Sequence, residues 1–230
     1  MKKIASILIA LVLLSSLAFS ETAVEGVNVF VSITDDANAL VLAHESIFVT
    51  DLDQDGAITI ADALFCAHAQ KHEMGAAAFG YASTEYGLSL TLLWGIDNGG
   101  SYGYMVNDMS AMSLSDAVKE GDHVKAYAYT DLIAWTDTYS YFDKAALDVK
   151  AGEKVSLSLL AAGYDEAWNP IVLGVEGAKV LVNGEEANIV TAEGGAFEIA
   201  FETAGAYIVS AVSETMNLVA PVCVVNVIQE

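Results

Sequence analysis

Short segments in which apolar and polar residues alternate strictly recur through the second half of the chain, and they constrain its fold more than any other feature. A period of two predicts strands with one buried face. Val180 to Val182 also runs into Asn183-Gly184, a dipeptide typical of tight hairpin turns. Many short strands, frequent turns and no helical period predict a β-sandwich. The alternating segments are 155–159, 197–201, 207–211 and 223–227.

The first half predicts a mixture of strands and one main helix. Ile60 to His72 has apolar residues at the spacing of a helix with one buried face. The apolar run Leu88 to Trp94 fits either a strand or a short helix, and periodicity does not decide between them. The whole chain is therefore expected to be mainly β, with an α+β first domain. The remaining strands of this half are predicted at 27–33, at 40–42 continued by 46–49, at 102–107 and at 123–129.

The stretch DLDQDGAITIAD, residues 51–62, has the spacing of a twelve-residue calcium loop. Ca²⁺ prefers six to eight oxygen ligands, and such loops supply them from positions 1, 3, 5, 7, 9 and 12. Gly56 falls at position 6, where the chain must turn sharply. We therefore predict Ca²⁺ as the cofactor of this protein. Its predicted ligands are Asp51, Asp53, Asp55, the carbonyl of Ala57, Thr59 and Asp62.

A simpler interpretation of the same stretch is an acidic turn before a capped helix. Thr59 and Asp62 have the spacing of a capping box, in which each residue's side chain accepts from the other's backbone N–H. Capping does not require Asp51, Asp53, Asp55 or Gly56, so calcium remains the stronger prediction. The last position is Asp rather than the usual Glu, and its shorter side chain predicts weaker coordination there.

The N-terminus predicts export. Met1-Lys2-Lys3 precedes an apolar run from Ile4 to Leu17, and a small residue, Ser20, ends a plausible cleavage site. We predict a signal peptide over residues 1–20 and a secreted, extracellular or cell-surface location; an uncleaved anchor is the alternative. The apolar run is shorter than the ~20 residues that a spanning helix needs. No membrane insertion is therefore expected after cleavage.

The charge of the chain limits its partners. Its formal net charge is −22, and its nine cationic side chains are all lysines. A protein this acidic is repelled by nucleic acid and by anionic membranes, whereas divalent cations are attracted to it. The two cysteines, Cys66 and Cys223, either form a disulfide in the oxidising exterior or remain buried free thiols.

Three resemblances extend these predictions. The loop at 51–62 resembles the calcium half-motif of dockerins, which carry two such loops where this chain has one. A second resemblance, to the bacterial transcobalamin-like C-terminal domain, rests on Leu88–Trp94, Gly103–Asn107 and Val118–Val124, with Tyr127 and Tyr129. That resemblance implies a β-grasp-like domain over residues 24–143 and makes a corrinoid ligand possible.

The second half resembles bacterial immunoglobulin-like surface modules. The residues that carry this resemblance are Gly177-Ala178, Val180, Val182-Asn183-Gly184, Thr191, Gly194, and Gly205 with Tyr207, Val209 and Ala211. It implies an immunoglobulin-like β-sandwich over residues 144–230. Modules of this kind usually act as spacers or adhesins.

Aromatic residues and a histidine pair are the remaining candidates for a site. Alternate residues such as Tyr127 and Tyr129 share one face of a strand, where they either stack on a planar ligand or sugar or pack in the core. His68 and His72 share a helix face, and this fits either a zinc site or a solvated surface. The candidate ligand-binding aromatics are Trp94, Tyr102, Tyr104, Tyr127 and Tyr129.

These features together predict a secreted or cell-surface, non-catalytic, calcium-stabilised binding or adhesion module. Its partner would be a cell-surface protein, a glycan or a small molecule, with no role for nucleic acid. The alternative is capture of a corrinoid, haem or similar planar ligand, or of a glycan. No motif for nucleophilic or phosphoryl-transfer catalysis is apparent, so no enzyme activity is expected.

Overall fold

The computed structural model describes residues 25–229, so the predicted signal peptide lies outside the described residues. Seven strands and one α-helix make up the first half, which confirms the predicted helix and strands. The ambiguous apolar run near residue 90 forms a strand. The elements are β1 (Gly26–Thr34), β2 (Leu40–Thr50), α1 (Ile60–Lys71), β3 (Gly80–Thr84), β4 (Gly87–Leu92), β5 (Tyr102–Val106), β6 (Met109–Ser110) and β7 (His123–Ala128).

Five of these strands form one mixed sheet in the order β2-β1-β7-β5-β6. The first and last strands of this half, β1 and β7, lie parallel at its centre, and the other neighbours are antiparallel. The β3–β4 hairpin forms a separate two-stranded sheet.

Helix α1 covers one face of the five-stranded sheet. Alternate residues of β1, Val29 and Val31, point into the same core as Ile60 and Leu64 of α1, and all four are fully buried. A fully buried aliphatic side chain contributes about 1.5–3 kcal/mol relative to an exposed one. The helix is therefore held by this apolar face, and it begins where the loop at 51–59 ends.

The second half consists of strands in two sheets that enclose a single core, which is the arrangement of a β-sandwich. One sheet has the order β11-β10-β14 with β8 also paired to β10, and the other has the order β13-β12-β15-β16-β9. The strands are β8 (Ser140–Phe142), β9 (Ala146–Lys150), β10 (Lys154–Tyr164), β11 (Pro170–Gly174), β12 (Lys179–Val182), β13 (Glu185–Val190), β14 (Ala196–Ala200), β15 (Gly205–Val212) and β16 (Cys223–Ile228).

The predicted hairpin turn is confirmed. Asn183 and Gly184 join β12 to β13 with φ of 51° and 83°, as a type I′ turn requires. The predicted domain boundary lies between residues 143 and 144. Strand β8 precedes this boundary, but it pairs with β10 of the second half.

The two cysteines are free and buried in different cores, Cys66 with α1 and Cys223 with β16. The alternative of buried thiols therefore describes them, and burial raises the pKa of the Cys223 thiol to about 12. Within residues 25–229, the structure contains no helix of the length and hydrophobicity needed to cross a membrane.

Candidate functional site

The loop that carries the aspartates connects the end of β2 to the start of α1, and its own carboxylates order its backbone. Asp51 accepts from the backbone N–H groups of Asp55 (3.3 Å) and Gly56 (2.9 Å). Asp53 accepts from Asp55 at 3.3 Å, and Asp55 accepts from Ala57 at 2.9 Å. Gly56 has a φ of +94°, so the sharp turn expected at this position is present.

Three of the predicted ligands converge. Ligand oxygens of Asp51, Asp53 and Asp55 lie within 4.8 Å of one another, with Asp51 half-buried and the other two exposed. The Asp55 N–H lowers the pKa of Asp53, but desolvation, the charge of Asp55 and hydrogen bonding with Asp51 together raise that pKa above its usual value. Like charges crowded in this way favour a bound cation, and an all-oxygen donor set suits a hard ion such as Ca²⁺.

Asp62 is not part of this cluster of carboxylates, and it pairs instead with Thr59. They form the capping box of α1: Asp62 Oδ2 accepts from the Thr59 N–H (2.9 Å) and hydroxyl (2.7 Å), while Thr59 Oγ1 accepts from the Asp62 N–H. The other oxygen, Asp62 Oδ1, accepts from the Leu52 N–H at 3.2 Å. Both Asp62 oxygens are therefore already engaged. The capping box predicted for these two residues is therefore present, and Asp62 lies outside the carboxylate triad.

A cleft of about 390 Å³ opens beside this loop. Its walls come from the loop, α1, β3 and β4, and they combine exposed aromatic rings with carboxylates. No local sequence pattern indicates this cleft, because its walls come from segments that are far apart along the chain. The lining residues are Leu52, Asp53, Asp55, Thr59, Ala61, Asp62, Phe65, Tyr81, Leu88 and Ser115.

His68 is not available as a zinc ligand. Its Nδ1 lies 2.6 Å from the Leu64 carbonyl, and its Nε2 accepts from the Trp94 N–H at 2.9 Å. These partners fix a neutral ring with its proton on Nδ1, and desolvation lowers the pKa of His68 to about 4. Neither ring nitrogen of His68 is therefore free to bind a metal together with His72. The alternative of a solvated surface is also wrong for His68, because this side chain is fully buried.

The predicted ligand-binding aromatics do not form one surface. Trp94, Tyr102 and Tyr104 pack against the core that contains α1. Tyr127 is buried in a different cluster that also contains Tyr129.

The register of two neighbouring strands explains this division. Gly103 lies opposite Tyr127 in the pairing of β5 with β7. Because successive residues of a strand point to opposite faces, Tyr102 and Tyr104 point to the other side of the sheet from Tyr127. A Cβ at Gly103 would overlap the Tyr127 ring, so this strand position has no room for a side chain.

A buried polar group lies on the sheet face opposite α1, where sequence reasoning expected no site. Lys125 is 7% exposed, its Nζ lies 2.5 Å from Asp108 Oδ1, and it lies over the rings of Tyr139 and Tyr141. The Tyr139 hydroxyl donates to the same Asp108 oxygen at 2.6 Å. Desolvation lowers the pKa of Lys125, although Asp108 opposes that shift.

Two histidines extend this group along the sheet. His123 Nε2 lies 2.8 Å from the Ser32 hydroxyl oxygen, which accepts from the His44 N–H at 2.9 Å. Desolvation and the Lys125 charge lower the pKa of His44 to about 4 and that of His123 to about 2. The alternation of residues in β7 predicts that His123, Lys125 and Tyr127 share one face of the strand. It does not predict that this face is buried.

Comparison with known proteins identifies no family. No family model matches the chain, and no curated protein matches it. Among solved structures, the chain is similar to the N-terminal four Ig domains of Dscam1 isoform 6.9, with a TM-score of 0.25 and 8% identity over 48% of this chain and 23% of that chain. Isoform 9.44 matches with the same TM-score and coverage and 9% identity. A similarity this low carries no argument about the function of the chain.

Proposed function

We propose that this protein is a secreted or cell-surface, non-catalytic binding or adhesion module that calcium stabilises. The observation that carries the proposal is the convergence of Asp51, Asp53 and Asp55 within 4.8 Å in the loop that joins β2 to α1. The predicted signal peptide supports the location.

The ion would act on the stability of the junction between strand and helix. Asp51, Asp53, Asp55 and the carbonyl of Ala57 would hold it, and its charge would relieve the repulsion that raises the pKa of Asp53. Asp62 has a separate task, since it caps α1 and also accepts from Leu52 in the loop. Calcium would then fix the loop on which the helix start depends.

The topology favours two domain types for this role. In the first half the sheet order is second strand, first strand, last strand, with the first and last strands parallel and a helix across one face. This order supports a β-grasp-like domain, as the resemblance to the transcobalamin-like family implies. The two-sheet second half supports an immunoglobulin-like sandwich that acts as a spacer or adhesin.

Non-catalytic function is part of the proposal. The surroundings of Ser32 and His123, the serine and histidine that lie within hydrogen-bonding distance of each other, support it. Both residues are buried. Desolvation lowers the pKa of His123 to about 2, which makes its ring a weak base for activating Ser32.

Calcium titration calorimetry tests the metal proposal. We expect a single site with a Kd of about 10⁻⁴–10⁻³ M, as in extracellular calcium modules. Substituting Asn for both Asp51 and Asp53 should abolish the heat of binding. Asp165→Asn is the matched control, because Asp165 also orders an exposed turn through its carboxylate but lies outside the triad. Heat that is equal in the double variant and the wild type would refute the site.

Small-molecule or glycan capture is the second candidate function, and the 390 Å³ cleft favours it. Ligand sites in proteins commonly enclose about 300–1,000 Å³. A corrinoid or haem ligand predicts a shift of its visible absorption bands on mixing with the protein, and unchanged spectra would exclude both.

A further inference from the structure

The cleft beside the loop has a wall of aromatic rings. Phe65 of α1 and Tyr81 of β3 both line it, and the ring of Phe79 lies near both, with its centroid 6.4 Å from Phe65 and 5.7 Å from Tyr81. Tyr81 is 49% exposed. A large aromatic side chain that stays exposed in a concave site offers a surface on which a ligand can stack.

The polar groups of the cleft are suited to hydrogen-bond donors. Asp53 and Asp55 lie at its edge, Ser115 offers a hydroxyl, and no lysine is among the residues that line it. Ionised carboxylates only accept hydrogen bonds. An anionic ligand would be repelled, and a purely apolar ligand would strip water from the carboxylates without replacing the lost hydrogen bonds.

Two classes of donor remain, organic ammonium groups and neutral hydroxyl groups, and the proposed calcium function decides between them. Without an ion, the triad of Asp51, Asp53 and Asp55 carries three negative charges, and an ammonium group would bind well. With Ca²⁺ the net charge of the site falls from −3 to −1, so an ammonium group loses most of its electrostatic attraction. Binding of neutral hydroxyl groups does not depend on that attraction.

We propose that this cleft binds a neutral saccharide in the calcium-loaded protein. The apolar face of a sugar ring would stack on Tyr81 and Phe65, and its hydroxyl groups would donate to Asp53, Asp55 and Ser115. The inference rests on the proposed calcium function, because without the ion the same carboxylates favour a cationic ligand. It places the ligand on different aromatic residues from those that the sequence suggested.

Titration calorimetry with neutral hexasaccharides tests the proposal. The probes are cellohexaose, xylohexaose, mannohexaose and laminarihexaose, each with saturating calcium and again with chelator. Hexagalacturonate and hexalysine serve as anionic and cationic comparisons. We expect at least one neutral probe to bind in calcium.

Tyr81→Ala should weaken the binding of that probe about tenfold or more, because it removes the stacking surface. Tyr86→Ala is the matched control, since Tyr86 lies on the same hairpin, is 80% exposed and does not line the cleft. The calcium-dependent change in melting temperature, recorded for each variant, should be the same as in the wild type. Retention of the calcium response with loss of saccharide binding supports the proposal and shows that the variant is folded.

Three results would overturn the saccharide proposal. They are binding of none of the four neutral probes, equal affinity in wild type and Tyr81→Ala, and binding of hexalysine in place of the neutral probes in calcium. In each case a preserved calcium response leaves the metal site intact. Loss of the calcium response in the wild type would instead refute the proposed function on which this inference rests.

Discussion

Replacing Asp108 with asparagine should destabilise the protein because it leaves a buried ammonium group without its counter-ion. Lys125 is 7% exposed, and its Nζ lies 2.5 Å from Asp108 Oδ1. Removing one partner of a buried ion pair costs about 3–5 kcal/mol. The Asp108 side chain is 27% exposed and asparagine keeps an acceptor for Tyr139, so we expect a loss of about 2–3 kcal/mol. Asparagine also tolerates the φ of +64° at this position.

The reciprocal substitution provides the contrast. Lys125→Met replaces the charged side chain with an apolar one of similar length, and Asp108 remains partly solvated with its hydrogen bond from Tyr139. We expect a loss of about 0–1.5 kcal/mol, because the desolvation cost of the ammonium group disappears with it. The double variant should be more stable than Asp108→Asn alone, because no buried charge is then left unpaired.

Urea unfolding at pH 7 in saturating calcium measures these differences, with the free energy of unfolding obtained by linear extrapolation. Loss of Asp108 lowers the pKa of Lys125 in the folded state further below its unfolded value. Above that folded-state pKa the unfolded chain binds more protons than the folded chain. The free energy of unfolding of Asp108→Asn should therefore increase as the pH rises through this range. The reasoning is refuted if Asp108→Asn costs less than Lys125→Met.

Three further substitutions test the local structure. The folded-state pKa of His68 is about 4, so between pH 6.5 and 4 only the unfolded chain takes up that proton, and the free energy of unfolding falls as the pH falls. His68→Gln should reduce the slope of this fall by about 1.4 kcal/mol per pH unit. Equal slopes in urea titrations of wild type and variant would contradict this. Gly103→Ala should cost about 1–3 kcal/mol, because its Cβ would overlap the Tyr127 ring, and an unchanged melting temperature would show that the ring can move away. Thr59→Ala removes the N-cap of α1 and should cost about 1 kcal/mol in the same unfolding assay.

Local sequence patterns predicted the elements that depend on local chemistry. The alternation in β1 and β7, the Asn183-Gly184 turn and the start of α1 all follow from residue spacing and backbone preference. The convergence of the aspartate triad also agrees with its spacing, since Asp51, Asp53 and Asp55 are alternate residues of one short loop.

Features that depend on register and on long-range packing were not predictable in this way. The side of the sheet to which Tyr102 and Tyr127 point depends on the pairing of Gly103 with Tyr127 across two strands. The sequence places Asp62 at both a metal-ligand position and a capping position, and only the structure shows its oxygens accepting from the N–H groups of Thr59 and Leu52. Periodicity likewise cannot reveal that a polar strand face is buried by residues far along the chain.

Calcium-dependent stability is the central claim, and a thermal melt of the purified protein tests it most directly. With a Kd of about 10⁻⁴–10⁻³ M, 10 mM calcium should stabilise the folded state by about 1.4–2.7 kcal/mol. For a chain of this size that corresponds to a rise in melting temperature of about 3–10 °C relative to chelator. We predict this rise in the wild type and its loss when Asp51 and Asp53 are both replaced by alanine. Equal melting temperatures of the wild type in calcium and in chelator would contradict the claim and leave the aspartates as an acidic turn before a capped helix.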